Sequence, residues 1–172
     1  MTIHTSDPFA TPDERRSPVR RLRGRLPAPV TLWTAGEGGG RAGLTVSSVL
    51  VVAGDPGRVL GIVDPESDLW AAAEASGRFA LVRLASDEQR LADVFAGVVP
   101  TPGGPFTLGS WRSTGYGPVP DGDTVTWAGC TVDTSRPLGW GLLVEASIDE
   151  ICFGVAETAL GYFRGRYQRI PS

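Results

Sequence analysis

Apolar and polar residues alternate through Val30-Thr31-Leu32-Trp33-Thr34, and a β-branched apolar run, Val49-Leu50-Val51-Val52, closes the stretch that begins at Leu44. Alternation with a period of two predicts strands. The Gly-rich turn Gly36-Glu37-Gly38-Gly39-Gly40 predicts a hairpin between Val30–Thr34 and Leu44–Val52. Asp55-Pro56-Gly57 reads as a turn into a strand over Arg58–Val63, and Phe79–Val82 reads as a buried strand. Thr124–Val132 and Gly141–Ile148 are two more, and Leu160–Tyr167 closes the set as an edge strand.

Helical spacing is confined to short stretches. Ser67 caps a helix carrying Leu69, Trp70 and Ala73 that ends near Ser76-Gly77. Ser86 and Gln89 form a capping box for a second, with Leu91, Val94 and Phe95 on one face and Gly97 at its end. A first helix over Pro18–Gly24 is solvated, and Met1–Ser17 is a mobile tail without apolar periodicity. The Pro/Gly-rich segment Val98–Asp123 is a lid, a binding loop or a subunit contact, with Trp111 and Tyr116 as its interface aromatics. The predicted fold is therefore mainly β. Six or seven strands at meander spacing form a closed or partly closed antiparallel barrel, one domain over residues 18–172.

Composition narrows the chemistry. All sixteen basic residues among the 172 are Arg, and the one His is His4. Without Lys there is no Walker A loop and no Schiff-base enzyme; without a core His there is no Ser-His triad and no His-based metal site. An organic cofactor is the remaining supplier of reaction chemistry. Cys130 and Cys152 are too few for a disulfide framework and read as buried thiols. No apolar run is long enough to span a bilayer, and the polar start predicts a cytoplasmic protein. The Arg15–Arg25 cluster sits in a chain of net charge −3 with no nucleic-acid motif, so it is read as a solvated helix.

One stretch concentrates binding potential. Thr45, Ser47 and Ser48 put three hydroxyls in four residues, able to join backbone N–H groups around a phosphate or a ring carbonyl. The glycines at Gly36–Gly40 lie between two strands, which excludes a Rossmann dinucleotide loop.

In order, Leu26-Pro27-Ala28-Pro29-Val30-Thr31, Gly43-Leu44-Thr45-Val46-Ser47-Ser48, Asp55-Pro56, Ser76–Ala80, Gln89–Gly97 and Arg164-Gly165-Arg166-Tyr167 resemble the flavin reductase-like family with its FMN-binding split barrel. That resemblance implies an antiparallel split β-barrel of Greek-key type with a few short helices. It implies a homodimer with one flavin per subunit, FMN or alternatively FAD, reduced by NADH or NADPH and handed to a partner monooxygenase. It places Thr45, Val46, Ser47 and Ser48 against the isoalloxazine and ribityl chain. Val63, Asp64 and Ser67 fall at phosphate or ribityl oxygens, and Ala96 and Gly97 near the nucleotide tail. Arg166, read as sharing a face with Arg164 in an extended segment, is the expected cationic contact to a nucleotide.

Two departures from the family pattern stand out. Arg136-Pro137-Leu138-Gly139-Trp140 replaces a common Gly-Asp-His element, and Val82 replaces a common Asn. Both favour an alternative in which the chain binds flavin without reducing it from NAD(P)H. A third reading is an interaction protein on the same barrel.

Overall fold

The computed structural model describes residues 17–171. The sequence expectation for the tail at Met1–Ser17 lies outside this span except for Ser17. That residue caps helix α1 (Pro18–Arg23) by accepting a hydrogen bond from the Arg20 N–H.

The centre of the molecule is a seven-stranded antiparallel sheet in the order β3-β2-β6-β9-β10-β5-β4. Its strands are β2 (Thr31–Ala35), β3 (Ala42–Val46), β4 (Val49–Val52), β5 (Arg58–Val63), β6 (Arg78–Arg83), β9 (Thr126–Leu138) and β10 (Gly141–Cys152). The two edges, β3 and β4, are neighbours in the chain. Leu44–Val52 is therefore not one strand, as the apolar run suggests. Val46 still pairs with Thr31 of β2, whereas the Ser48 carbonyl already accepts from Ile62 N–H of β5. The sheet curls until its edges approach, and Ser47-Ser48 is the step between them.

Curling gives the sheet an inner and an outer core. Trp33, Phe79, Cys130, Val59 and Val144 fill the inside with α2 (Asp68–Ser76), and the Trp33 and Phe79 rings stack at 4.3 Å. Leu32, Val82, Leu84, Trp127 and Leu160 form the outer core beneath α3 (Gln89–Phe95). All five residues of β2 are buried, so its alternation divides it between two cores rather than between core and water. Thr31 and Thr34, the two polar residues of the strand, donate their hydroxyls to the carbonyls of Val46 and Pro118 at 2.7 and 2.6 Å. Gly61 of β5 is where the Trp33 indole lies; a Cβ there would come within 2.3 Å of the ring.

Several expectations are corrected. The Ser86–Gln89 capping box does not form: Glu88 is the N-cap of α3, and Ser86 instead meets Thr158, hydroxyl to hydroxyl at 2.8 Å. The Glu88 carboxylate accepts from Ala85 N–H, bracing the turn before the helix. Leu160–Tyr167 is not one strand but a hairpin of β11 (Ala159–Phe163) and β12 (Arg166–Ile170), which with β1 (Ala28–Pro29) makes a three-stranded sheet. Arg164 occupies its turn at φ 51°, so Arg164 and Arg166 do not share the face of an extended segment.

Val98–Asp123 is not a free loop either. It contains a 3-10 turn at Pro105–Thr107 and a small hairpin of β7 (Trp111–Ser113) and β8 (Pro118–Pro120). Phe106 and Trp111 pack edge-on against Phe95 at 5.0 and 5.5 Å, and Tyr116 packs in the same outer core. These aromatics are used within the chain, which removes the reason for assigning them to a subunit contact. Of the two cysteines, Cys130 is buried but Cys152 is exposed.

Candidate functional site

β3 pairs only with β2, so alternate backbone N–H and C=O groups along its outer edge have no strand partner. The Thr45 hydroxyl donates to the Ala92 carbonyl at 2.6 Å, which docks α3 against that edge. One turn further on, α3 ends at exposed Ala96, and Gly97 leaves the helix at φ 72°. Gly43 permits the approach: a Cβ there would lie 2.6 Å from the Phe95 ring. Thr45 thus meets the middle of α3, with its proton committed to the helix, while Ala96-Gly97 lies beyond Phe95 at the Gly43 end of the strand.

Ser48 gathers the next set of groups. Its hydroxyl oxygen accepts from Arg23 Nη2 at 3.2 Å, leaving its proton available to an outside acceptor. Its bond to Ile62 sets it beside Val63, the last residue of β5. The side chains of Val46 and Val63 are buried in the inner core, so these two residues offer backbone alone.

Asp64 and Ser67 form a self-satisfied turn. Asp64 Oδ1 accepts from Glu66 N–H, and the Asp64 carbonyl accepts from both the N–H and the hydroxyl of Ser67. Ser67 Oγ in turn accepts from Trp70 N–H as the cap of α2.

Arg166 is exposed at the start of β12 and has no hydrogen-bond or ion-pair partner among the described residues. Its strand nonetheless belongs to the same region. Tyr167 donates its phenol to Asp93 of α3 at 2.9 Å, and Arg164 N–H donates to the Gly24 carbonyl just past α1. Edge strand β3 and the β11–β12 hairpin are both hydrogen-bonded to the middle of α3, the hairpin is bonded to the end of α1, and α1 reaches Ser48 through Arg23. Arg23 is the residue that the sequence reading missed. Its signal was a helix with six Arg nearby and no apolar stripe.

Three other features fall outside the site residues expected from sequence. A shallow cavity of about 330 Å³ at the start of α3 is lined by Glu88, Arg90, Trp111 and Asp121, none of them a site residue expected from sequence. Burial lifts the Glu88 carboxyl above its usual range there, against the bond from Ala85 N–H. Trp140 is not buried in a strand; it tips the long β9–β10 hairpin, 95% exposed, beyond the strands that flank Val63. Val82 lies in the outer core and packs as an apolar residue.

A curled antiparallel sheet with hydroxyls at its seam, an unpaired strand edge leading to it and an arginine helix beside it presents donors to a polar ligand. Among the described residues there is no His or Lys to serve a side-chain nucleophile. The chain belongs to the flavin reductase like domain family, whose sequence profile matches residues 23–171. It is 29% identical over 156 residues to the FMN reductase (NADH) RutF of Ancylobacter novellus, covering 90% of this chain and 85% of the relative. It is similar in structure to nitrilotriacetate monooxygenase component B from Mycobacterium thermoresistibile. That match has a TM-score of 0.78 and 28% identity and covers 88% of this chain and 84% of the other. The NADH:FAD oxidoreductase SgcE6 of Streptomyces globisporus C-1027 shares the fold at TM-score 0.79 and 22% identity, over 94% and 96% of the two chains.

Proposed function

We propose that the protein is an NAD(P)H:flavin reductase that binds FMN, with FAD as the alternative, across the seam at Thr45–Ser48. The observation that carries this reading is the Ser47-Ser48 step itself. There the unpaired edge of β3 offers backbone donors suited to the carbonyls and nitrogens of an isoalloxazine, and the Ser48 hydroxyl keeps an uncommitted proton just past that edge. When bound, the flavin supplies the hydride-accepting chemistry that this Lys-free chain lacks. The chain's own part is positional. Thr45, Val46, Ser47 and Ser48 present the edge, Val63 and Asp64 border it, and Ala96 and Gly97 close the far side; Ser67 holds α2 in place, and Arg166 lies on the adjoining hairpin. The domain comprises residues 18–172.

The relative with a monooxygenase-component name supports a role as the reducing partner of a separate monooxygenase, and we place the protein in the cytoplasm, where NADH and NADPH are made. Among the described residues no helix is long and apolar enough to cross a membrane. With FMN added, the purified protein is expected to oxidise NADH or NADPH at steady state. Tight FMN binding without such turnover would favour the alternative, a flavin-binding module fed by another donor. The replacement of Gly-Asp-His by the exposed Leu138-Gly139-Trp140 tip is what keeps that alternative in play.

A homodimer is part of the proposal, with β4 rather than the Val98–Asp123 segment as its centre. Leu50 and Val51 are each 60% exposed on an edge strand with no outer partner, and exposed apolar edges of this kind are ordinarily covered. Light scattering at micromolar concentration is expected to give twice the chain mass, and Val51→Arg to give the monomer. A wild-type monomer would refute the dimer.

A further inference from the structure

Helix α1 buries none of its residues, so it adds nothing to either core. Two contacts place it: Arg23 Nη2 on the Ser48 hydroxyl, and Arg164 N–H on the Gly24 carbonyl. Between them they hold a run of arginines, Arg20, Arg21, Arg23 and Arg25, at the seam where β3 passes into β4. The arginines at the C-terminal turn complement the helix dipole, but any one of them would serve for that. Among the described arginines of this run, Arg23 is the one hydrogen-bonded to the Thr45–Ser48 segment.

The opposite flank of the seam repels anions. Asp64, Glu66 and Asp68 place three carboxylates within five residues around Ser67, whose hydroxyl is already spent on Asp64 and Trp70. A phosphate on that side would meet like charge, and Ser67 has no proton left to give it. Elsewhere, Arg58 is paired with Asp133 and Glu145, and Arg83 donates to the carbonyls of Ala156 and Thr158. Arg41 lies over the Phe106 ring. A guanidinium carries five N–H donors, and the bond to Ser48 uses one, leaving a fork suited to a phosphate.

We propose that Arg23, with the Ser48 hydroxyl it holds, is the phosphate anchor of the flavin site, so that the protein distinguishes flavin mononucleotide from riboflavin through α1. This rests on the flavin reading above and assigns to Arg23 the cationic role expected of Arg166. It also explains why a helix with nothing to bury is pinned at the seam.

The test is a pair of titrations of apoprotein, FMN and riboflavin, followed by quenching of flavin fluorescence at low ionic strength. Arg23→Ala is expected to raise the FMN dissociation constant by about tenfold or more, as loss of a charge-assisted bidentate contact implies. Riboflavin affinity should stay within about twofold. Arg23→Lys should recover part of the FMN preference, Arg25→Ala should retain most of it, and added salt should narrow the gap between wild type and Arg23→Ala. Because α1 is exposed, the variant should keep the wild-type melting temperature. Equal weakening of FMN and riboflavin would make Arg23 a support for Ser48 alone and overturn the proposal, as would unchanged affinity for both. Wild-type protein that binds neither flavin would overturn the functional reading and this inference together.

Discussion

Gly43→Val is expected to lose flavin affinity and fold stability in one substitution. A Cβ at Gly43 would stand 2.6 Å from Phe95 Cε1 and 2.7 Å from Cδ1, well inside van der Waals contact. Phe95 cannot swing aside, because Phe106 and Trp111 hold it edge-on at 5.0 and 5.5 Å. The strain must therefore move α3 away from β3. Overpacking of this kind costs roughly 1–3 kcal/mol, and the valine branches add to it. Displacement of α3 also stretches the 2.6 Å bond from Thr45 to Ala92 and moves the helix off the edge of β3. Urea unfolding should show a lower midpoint at unchanged slope, and FMN titration a dissociation constant raised by more than about tenfold. If stability falls while FMN affinity holds, α3 packs beside the site without forming part of it.

That coupling explains how much of the site was legible in sequence. Gly43-Leu44-Thr45-Val46-Ser47-Ser48 stands out because each residue type answers a local demand: room for Phe95 at Gly43, a helix contact at Thr45, a core side chain at Val46. The Ser67 cap and the Gly97 helix end were also legible, since capping is decided within a few residues. What sequence reading missed depends on the sheet's closure. Leu44–Val52 reads as one apolar strand because periodicity carries no sign that the chain is passing from one sheet edge to the other at Ser47. Nothing local in Pro18–Gly24 shows that Arg23 will meet Ser48, twenty-five residues on. Arg164-Gly165-Arg166-Tyr167 reads as extended by its alternation, although Gly165 is a turn signal; Arg164 adopts a positive φ that Arg seldom takes. Ser86 and Gln89 have the spacing of a capping box, but Thr158, seventy-two residues away, takes the Ser86 hydroxyl first.

Stability should fall steeply on the alkaline side, and Cys130 should be the main cause. Its thiol is fully buried between Phe79 and Ile148 on the neighbouring strands, and its Sγ lies 3.9 Å from the Ala128 carbonyl. Burial, with the Asp149 charge adding to it, pushes the thiol from about 9 up to about 12. Below pH 9 both the folded and unfolded chains keep the proton, and the thiol adds no pH dependence. Above pH 9 the unfolded chain releases it and the folded chain does not, so each further pH unit favours unfolding by about 1.4 kcal/mol until the folded thiol titrates. Tyr167 acts with the same sign from about pH 10, its phenol raised by burial and then by the hydrogen bond to Asp93. Its share is smaller, because the ring is only half-buried and solvent screens it. Urea midpoints are expected to be flat from pH 7 to about 8.5 and to correspond to a loss of roughly 2–3 kcal/mol by pH 11. Cys130→Ala should start less stable through its lost volume yet fall along a much shallower alkaline slope, and Tyr167→Phe should flatten only the part above pH 10. An alkaline slope in Cys130→Ala as steep as in the wild type would place the titrating group elsewhere in the barrel.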